Sequence, residues 1–269
     1  MTLIDSREYA PTIEARIALL QRLGGPFLTN DPEECRVARA AGLQVGLIVS
    51  ADGGGQAGTV SGRDVGAVRD LAPEIVAIRC AALGDRQMHD EAPGGAERRS
   101  RLLARLATSL DALSGAHRMI LAIDGALVPL STAEWGSIAA ESLAIDPIGD
   151  PDSWRAAATW PGTRGLLLGL ISPPGGPAPE GPEVLLWAIG YAASLGGRGG
   201  DRVGVAGLPR RNGASGEGSV ADAADAAARI DALSRIMELT AADGVTRRAH
   251  LDPRAVSPAA QLLSERRSR

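Results

Sequence analysis

The chain contains no lysine; all 28 of its cationic side chains are arginine. Schiff-base catalysis through a lysine amine, and a P-loop that grips phosphate with a lysine, are therefore excluded. Cysteine and histidine are scarce as well. Cys35, Cys80, His89, His117 and His250 stand too far apart to form a CxxC pair, a zinc knuckle or an HxxxH helix face. This usage implies a reduced, cytoplasmic protein without a structural disulfide. Aromatic residues make up only 3%, too few for a base-stacking or sugar-stacking platform. The net charge of -4 has the wrong sign for a nucleic-acid partner held by bulk electrostatics. No apolar run approaches the roughly 18 residues needed to cross a bilayer, and no charged-then-apolar leader opens the chain. A soluble, unprocessed protein that does not engage a membrane is expected.

At 269 residues and 45% hydrophobic, the chain can bury a substantial core in one large domain or two small ones. Its organising signal is a short apolar run closed by a polar residue, typified by Arg118-Met-Ile-Leu-Ala-Ile-Asp-Gly125. Runs of this kind form strands buried on both faces. They recur at Thr2–Asp5, Pro26–Thr29, Val45–Ser50, Ile75–Cys80, Met119–Asp124, Ser142–Asp146, Leu166–Ser172 and Arg202–Ala206. Between them the spacing predicts helices over Thr12–Leu23, Pro32–Ala41, Arg63–Leu71, Ala96–Leu113, from Thr132, over Asp152–Ala158 and Glu183–Leu195, and finally over Val220–Ala241. Asp31 is placed to cap the second helix, with Pro32 at its first position. The segments Pro173–Pro182 and Gly207–Gly218 are too rich in breakers for regular structure.

Eight apolar runs separated by helix-sized connections imply a parallel sheet, because parallel neighbours need crossovers of that length. Eight such units in roughly 250 residues match a single α/β domain of the (β/α)8 TIM-type barrel class. An open doubly wound parallel sheet is the alternative. The barrel domain is expected over 1–243, followed by a loosely ordered, Arg-rich tail over 244–269.

In a barrel the reacting groups stand at the carboxyl ends of the strands. The residues that close the runs here are Asp5, Asn30, Asp31, Ser50, Asp52, Arg79, Cys80, Asp124, Asp146 and Ser172, joined by Arg210, Arg211 and Asn212 in the eighth loop. Acids from separate strands facing a basic pair could bind a polar small molecule, with a carboxylate as general base and arginine on an anionic group. Each residue also has a plainer reading. An aspartate after a strand is often a helix cap or turn former, and Arg210 and Arg211 suit a solvated loop. Cys80 suits core packing, and His89 and His117 suit exposed connections. The loop Gly53-Gly-Gly-Gln-Ala-Gly58 has the spacing of a dinucleotide fingerprint, with Arg79 about 20 residues on. However, Ser61 and Asp64 look like the helix cap, which leaves the last glycine outside the helix that should hold the pyrophosphate. A loop over the barrel mouth is the reading taken.

From residue 70 to 240 the wording resembles the cobalamin-independent methionine synthase family, within the barrels related to uroporphyrinogen decarboxylase. Ile78-Arg-Cys-Ala-Ala-Leu83 stands where that family reads Ile-Asp-Glu-Pro-Ala-Leu. Leu143-Ala-Ile-Asp146 resembles its Ser-Leu-Glu or Ser-Val-Asp strand, Leu167-Leu-Gly-Leu-Ile-Ser172 its Leu-Gly-Leu-Ile-Asp, and Val205-Ala-Gly-Leu208 its Pro-x-Cys-Gly-Leu. The family's His-x-Cys zinc pair corresponds to Ala122 and Asp124, and its last cysteine ligand to Ala206. The resemblance thus implies a divergent barrel that has lost its zinc ligands.

The expectation is a barrel that binds or transforms a small polar or anionic metabolite, with methyl or one-carbon transfer as the reaction the resemblance suggests. Asp124 and Asp146 are the catalytic candidates, and Arg79, Ser172, Arg210 and Asn212 the substrate-binding ones, with no metal and no cofactor. The alternative is a non-catalytic barrel that serves a protein partner as a binding or scaffold subunit. A homodimer is compatible with either.

Overall fold

The computed structural model describes residues 2–4, 10, 12–52, 56–88, 92–122, 127, 129–172, 178–207 and 223–241. Within them the apolar runs become strands β1 (Thr2–Ile4), β2 (Phe27–Thr29), β3 (Val45–Ser50), β4 (Ile75–Arg79), β5 (His117–Ala122), β6 (Ser142–Ile145), β7 (Gly165–Gly169) and β8 (Val203–Gly207). The helices are α1 (Ile13–Leu23), α2 (Pro32–Ala40), α3 (Gly62–Leu71), α4 (Gly95–Ala112), α5 (Thr132–Gly136), α6 (Ser153–Thr159), α7 (Pro182–Ser194) and α8 (Ala223–Ala241). The strands pair in parallel in the order β1-β8-β7-β6-β5-β4-β3-β2. Each strand therefore lies beside its neighbour in sequence, and β8 returns to β1. Although no ladder joins β1 to β2 among the described residues, their Cα atoms approach within 8 Å. This is a (β/α)8 barrel. The doubly wound alternative fails because such a sheet reverses its strand order at a switch point.

Local chemistry explains where the helices start. Thr12, Asp31 and Ser61 each accept a backbone N–H of their own first turn, from Ala15, Glu33 and Asp64. Ser131 and Glu134 bond reciprocally in a capping box that makes even the short α5 a defined element. Gly24 ends α1 in the left-handed conformation, with φ 65°.

Two apolar layers result. Outward-facing strand residues pack against the helices in the larger core, which includes Phe27, Val76, Ile120 and Leu143. The inward ones, Leu28, Ile75, Ala77, Met119, Leu121, Ala144, Leu167 and Ala206, fill the lumen, with Ile48 against them. Gly46 belongs to the same inward rank, and a Cβ there would overlap Leu28 Cδ2 and lie 3.1 Å from Ile75 Cβ. Glycine thus makes room for the larger neighbours on either side, as a narrow lumen requires.

Arginine does the structural work at the end of the barrel where the strands begin. Arg39 donates to Leu71 O (2.6 Å) and Ala72 O (3.0 Å) at the close of α3. Arg118 donates to Leu110 O of α4, and Arg164 to Trp135 O and Ile138 O around the end of α5. Arg198, fully buried, donates to Ala192 O, Trp160 O and Arg164 O, each at 3.1 Å. Cations on terminal carbonyls satisfy orphan acceptors and complement the helix dipoles. Two glutamates complete the pattern. Glu74, just before β4, accepts the N–H of Val45 at 2.9 Å, and Glu141, just before β6, accepts that of Arg118 at 2.7 Å.

Several boundaries differ from the sequence expectation. β5 starts two residues early because His117 is held in register opposite Ile75. His117 is consequently half-buried in the barrel wall, not in an exposed connection. β7 ends at Gly169, so Ile171 and Ser172 lie beyond it. Cys80 is core, as its apolar setting suggests, and burial pushes the thiols of both Cys35 and Cys80 up to about 12, which leaves them inert. The boundary at 243/244, the Arg-rich tail and His89 lie outside the described residues.

Candidate active-site mouth

The carboxyl ends of β3 and β4 are tied together. Ala51 N donates to Arg79 O at 2.7 Å, and Asp52 N donates to Ser50 Oγ at 3.2 Å. Asp52 reaches across to accept the N–H of Ala81 at 2.7 Å, fixing the turn that follows β4. Ser50 pairs with Arg79, and Arg79 with Leu121, so these three form the top rank on the lumen side. Arg79 is half-buried and Ser50 exposed. A guanidinium thus stands at the rim of a lumen whose middle is lined by apolar side chains.

Asp146 follows β6, whose Ser142 and Ala144 belong to the inward rank. Its Oδ1 accepts the N–H of Gly149 at 2.8 Å, and Asp150 N donates to its carbonyl at 2.9 Å, so the aspartate forms the turn that leads to α6. A side chain at Gly149 would strike its Oδ2. The turn-forming reading of Asp146 therefore applies, while its second oxygen leaves further accepting capacity. Ser172 is half-buried beyond β7, and its carbonyl accepts from Arg229 Nη1 of α8 at 2.8 Å. Arg229 is itself 1% exposed and paired with Asp225 at 3.0 Å. Asp124, Arg210 and Asn212 lie outside the described residues, as do Asp5 and residues 53–55 of the glycine loop.

Two of the positions that the methionine synthase resemblance matched to zinc ligands, Ala122 and Ala206, do not converge. Ala122 packs on the outer face with the helix-side core, whereas Ala206 packs in the lumen. Among the described residues no group of three His, Cys, Asp or Glu side chains could hold a metal ion. The mouth offers hydrogen bonding, a fixed cation and carboxylates, which suit binding and proton transfer.

Sequence reading missed one polar pair at the opposite end of the lumen. His117 Nε2 and Ser142 Oγ lie 2.8 Å apart, and a Cβ at Gly165 would crowd that hydroxyl. Burial, and to a lesser degree the charge of Arg118, hold His117 below its ordinary pKa, while Glu141 opposes them. The period-two alternation could have found the pair only with the strand register already known. Glu74 and Glu141 did carry a signal, since each is an acid directly before an apolar run.

No family model matches the chain, and no curated protein matches it. Solved structures share the fold. An L-ribulose 3-epimerase superposes with TM-score 0.55 at 15% identity, covering 93% of this chain and 96% of its own. A D-psicose 3-epimerase determined in the presence of D-fructose gives 0.51 at 15% identity, covering 87% and 96%. A Listeria monocytogenes structure assigned as a vitamin B12-independent methionine synthase reaches only 0.43 at 11% identity, over 66% of this chain and 51% of that one. The two epimerase likenesses show that the chain has a TIM-barrel fold.

Proposed function

We propose that this barrel binds and transforms a small polar metabolite at the carboxyl end of its strands. The observation that carries the proposal is Arg79, a cation in the inward-facing rank at that end, beside Ser50 and above an apolar lumen. Such a group grips a hydroxylated or anionic ligand with little competition from water. Asp124 and Asp146 are the acid/base or anchoring carboxylates in this reading, and Ser172, Arg210 and Asn212 complete the grip. The neighbours above TM-score 0.5 are named as sugar epimerases, which favours a ketose or ketose phosphate as the substrate class. Epimerisation removes a proton from carbon and returns one to the opposite face, work for two positioned acid/base groups. The methyl or one-carbon alternative rests on the sequence wording of 143–146 and 167–172.

The test is deuterium exchange. Ketoses and their phosphate esters incubated with the protein in D2O should gain deuterium at carbon, and Arg79→Ala should raise KM more than it lowers kcat. If alanine at both Asp124 and Asp146 leaves ligand binding and turnover untouched, the site assignment is wrong. One equivalent of zinc retained after washing with chelator would overturn the metal-free reading.

The second reading is a non-catalytic barrel that serves as a binding subunit. One observation favours it: Asp52 and Asp146, both at strand ends, are engaged by backbone N–H groups, Asp52 by that of Ala81 after β4 and Asp146 by that of Gly149 in its own loop. No exchange with any ketose, together with a stable protein complex, would establish it.

A further inference from the structure

Aromatic side chains are rare in this chain, yet Trp154, Trp187 and Tyr191 meet at one place on the surface. Trp187 stacks on Tyr191 with ring centroids 5.4 Å apart and planes 2° apart, and Trp154 of α6 meets Tyr191 edge-on at 5.1 Å. Trp187 is 42% exposed, Tyr191 41% and Val184 37%. The inner face of α7 is already apolar, with Leu185, Leu186, Ala188, Ile189 and Ala192 buried. No charged residue occurs from Val184 to Gly197. A helix apolar all round belongs in a covered position. In contrast, α2, α4 and α8 carry exposed ion pairs, Arg36–Glu33, Arg101–Glu97 and Arg235–Glu238.

The same outer face presents Gly190 and Ser194, one turn apart and both exposed. A Cβ at Gly190 would meet nothing within 4 Å. Glycine inside a helix costs about 0.5–1 kcal/mol relative to alanine, and no contact among the described residues requires it here. The notch beside the stacked rings leaves room for a close approach from outside.

We propose that the outer faces of α6 and α7 form the interface with a second copy of this chain. A two-fold contact sets one patch against itself, so a patch must complement itself. An uncharged aromatic surface does so without like-charge repulsion. Asp152 and Arg155, 68% and 76% exposed on either side of Trp154, give the rim both signs. The area is consistent too. A large aromatic buries roughly 150–250 Å², so rings about two-fifths exposed leave on the order of 80 Å² each, and with Val184 and Trp154 the patch comes to about 300 Å². Such a patch supplies an apolar centre, with the mixed-charge rim making up the rest of a standard interface of about 800 Å² per partner. In the dimer Trp187 and Tyr191 of each protomer bracket Gly190 of the other.

Sedimentation velocity on the full chain over a wide concentration range tests the proposal. The unmodified protein should dimerise, and Trp187→Glu and Tyr191→Arg should each weaken dimerisation roughly 30-fold or more, as loss of a buried hot-spot aromatic does. Their circular dichroism should be unchanged. Mixing the two variants should restore association, since opposite charges then face each other across the two-fold. Should either variant misfold, Gly190→Arg, whose Cβ enters open space, takes its place. Dimers of undiminished affinity in all three variants would overturn the interface. A protein monomeric at every concentration would overturn it as well, and a tryptophan emission shift on added lipid vesicles would then assign the face to a bilayer.

Discussion

At the scale of single residues, the absence of lysine has made the guanidinium a structural part. Arg198 shows this most clearly, because its three acceptors are backbone carbonyls from two separate segments, the α6–β7 connection and the end of α7. Burial lowers its pKa below that of a free guanidinium. Arg198→Met keeps most of the volume but removes the donor from Trp160 O and Arg164 O, at about 1–3 kcal/mol for each acceptor left bare, while Ala192 O keeps the N–H of Leu195. Thermal unfolding should therefore occur on the order of 10 °C lower at roughly 2–4 °C per kcal/mol. Lysine at this position should rescue little, since one ammonium cannot reproduce the planar fork. His117 yields a pH prediction. Because its folded pKa is depressed, its contribution to stability is fully present above the ordinary value of 6.5 and is lost as pH falls through the lower folded value. Urea midpoints of the native protein and His117→Gln should therefore converge as pH drops from neutral through that window. A constant gap between them would show that the His117–Ser142 contact does not titrate.

At the scale of elements, strands and helices repeat a device. An acid just before β4 or β6 accepts an N–H at the start of the preceding strand and pairs with an arginine. Hydrogen bonds from Arg118 hold Glu141 below the ordinary carboxylate range, against the opposing effect of its burial. Its stabilisation is thus present above the ordinary range and lost in acid. Glu141→Gln should cost about 1–2 kcal/mol at neutral pH, measured by urea unfolding, with the gap to the native protein closing as the pH is lowered. The barrel lumen gives a second test. Gly46→Ala forces Leu28 to move and should cost about 1–3 kcal/mol. Pairing it with Leu28→Ala should be clearly less destabilising than the sum of the two single changes, because the two side chains compete for one space.

Much of this was legible in the chain. The eight apolar runs, the caps at Asp31 and Ser61, and the glycine stop of α1 are local features, decided within a few residues. The offset of β5 was not, because its first residue is set by a ladder to Ile75, many residues away in sequence. Nor could sequence tell that Asp146 closes its own turn, since an Asx turn and a catalytic carboxylate use the same side chain. Arg79 could be named from its position at the end of a run. Its inward direction needed the register with Ser50 and Leu121.

At the scale of the whole molecule, the barrel separates its two ends chemically. The end where strands begin is locked by arginines on helix carbonyls, and the end where they stop presents Arg79 and the aspartates. Stability variants such as Arg198→Met should therefore change the unfolding temperature with little change in KM, whereas Arg79→Ala should do the reverse. A common loss of both properties would deny the division. Among the described residues the ring of strands also has a seam. β1 is paired only with β8 and β2 only with β3 among the described residues, whereas β4 and β5 each have a ladder on both sides. Amide hydrogens therefore need not be shielded alike around the circle. On transfer to heavy water, backbone protons of Phe27–Thr29 should be replaced long before those of Ile75–Arg79 and Met119–Ala122, because local opening begins where a strand is bonded on one side only. The barrel, closed in outline, would then breathe from a single line along its wall.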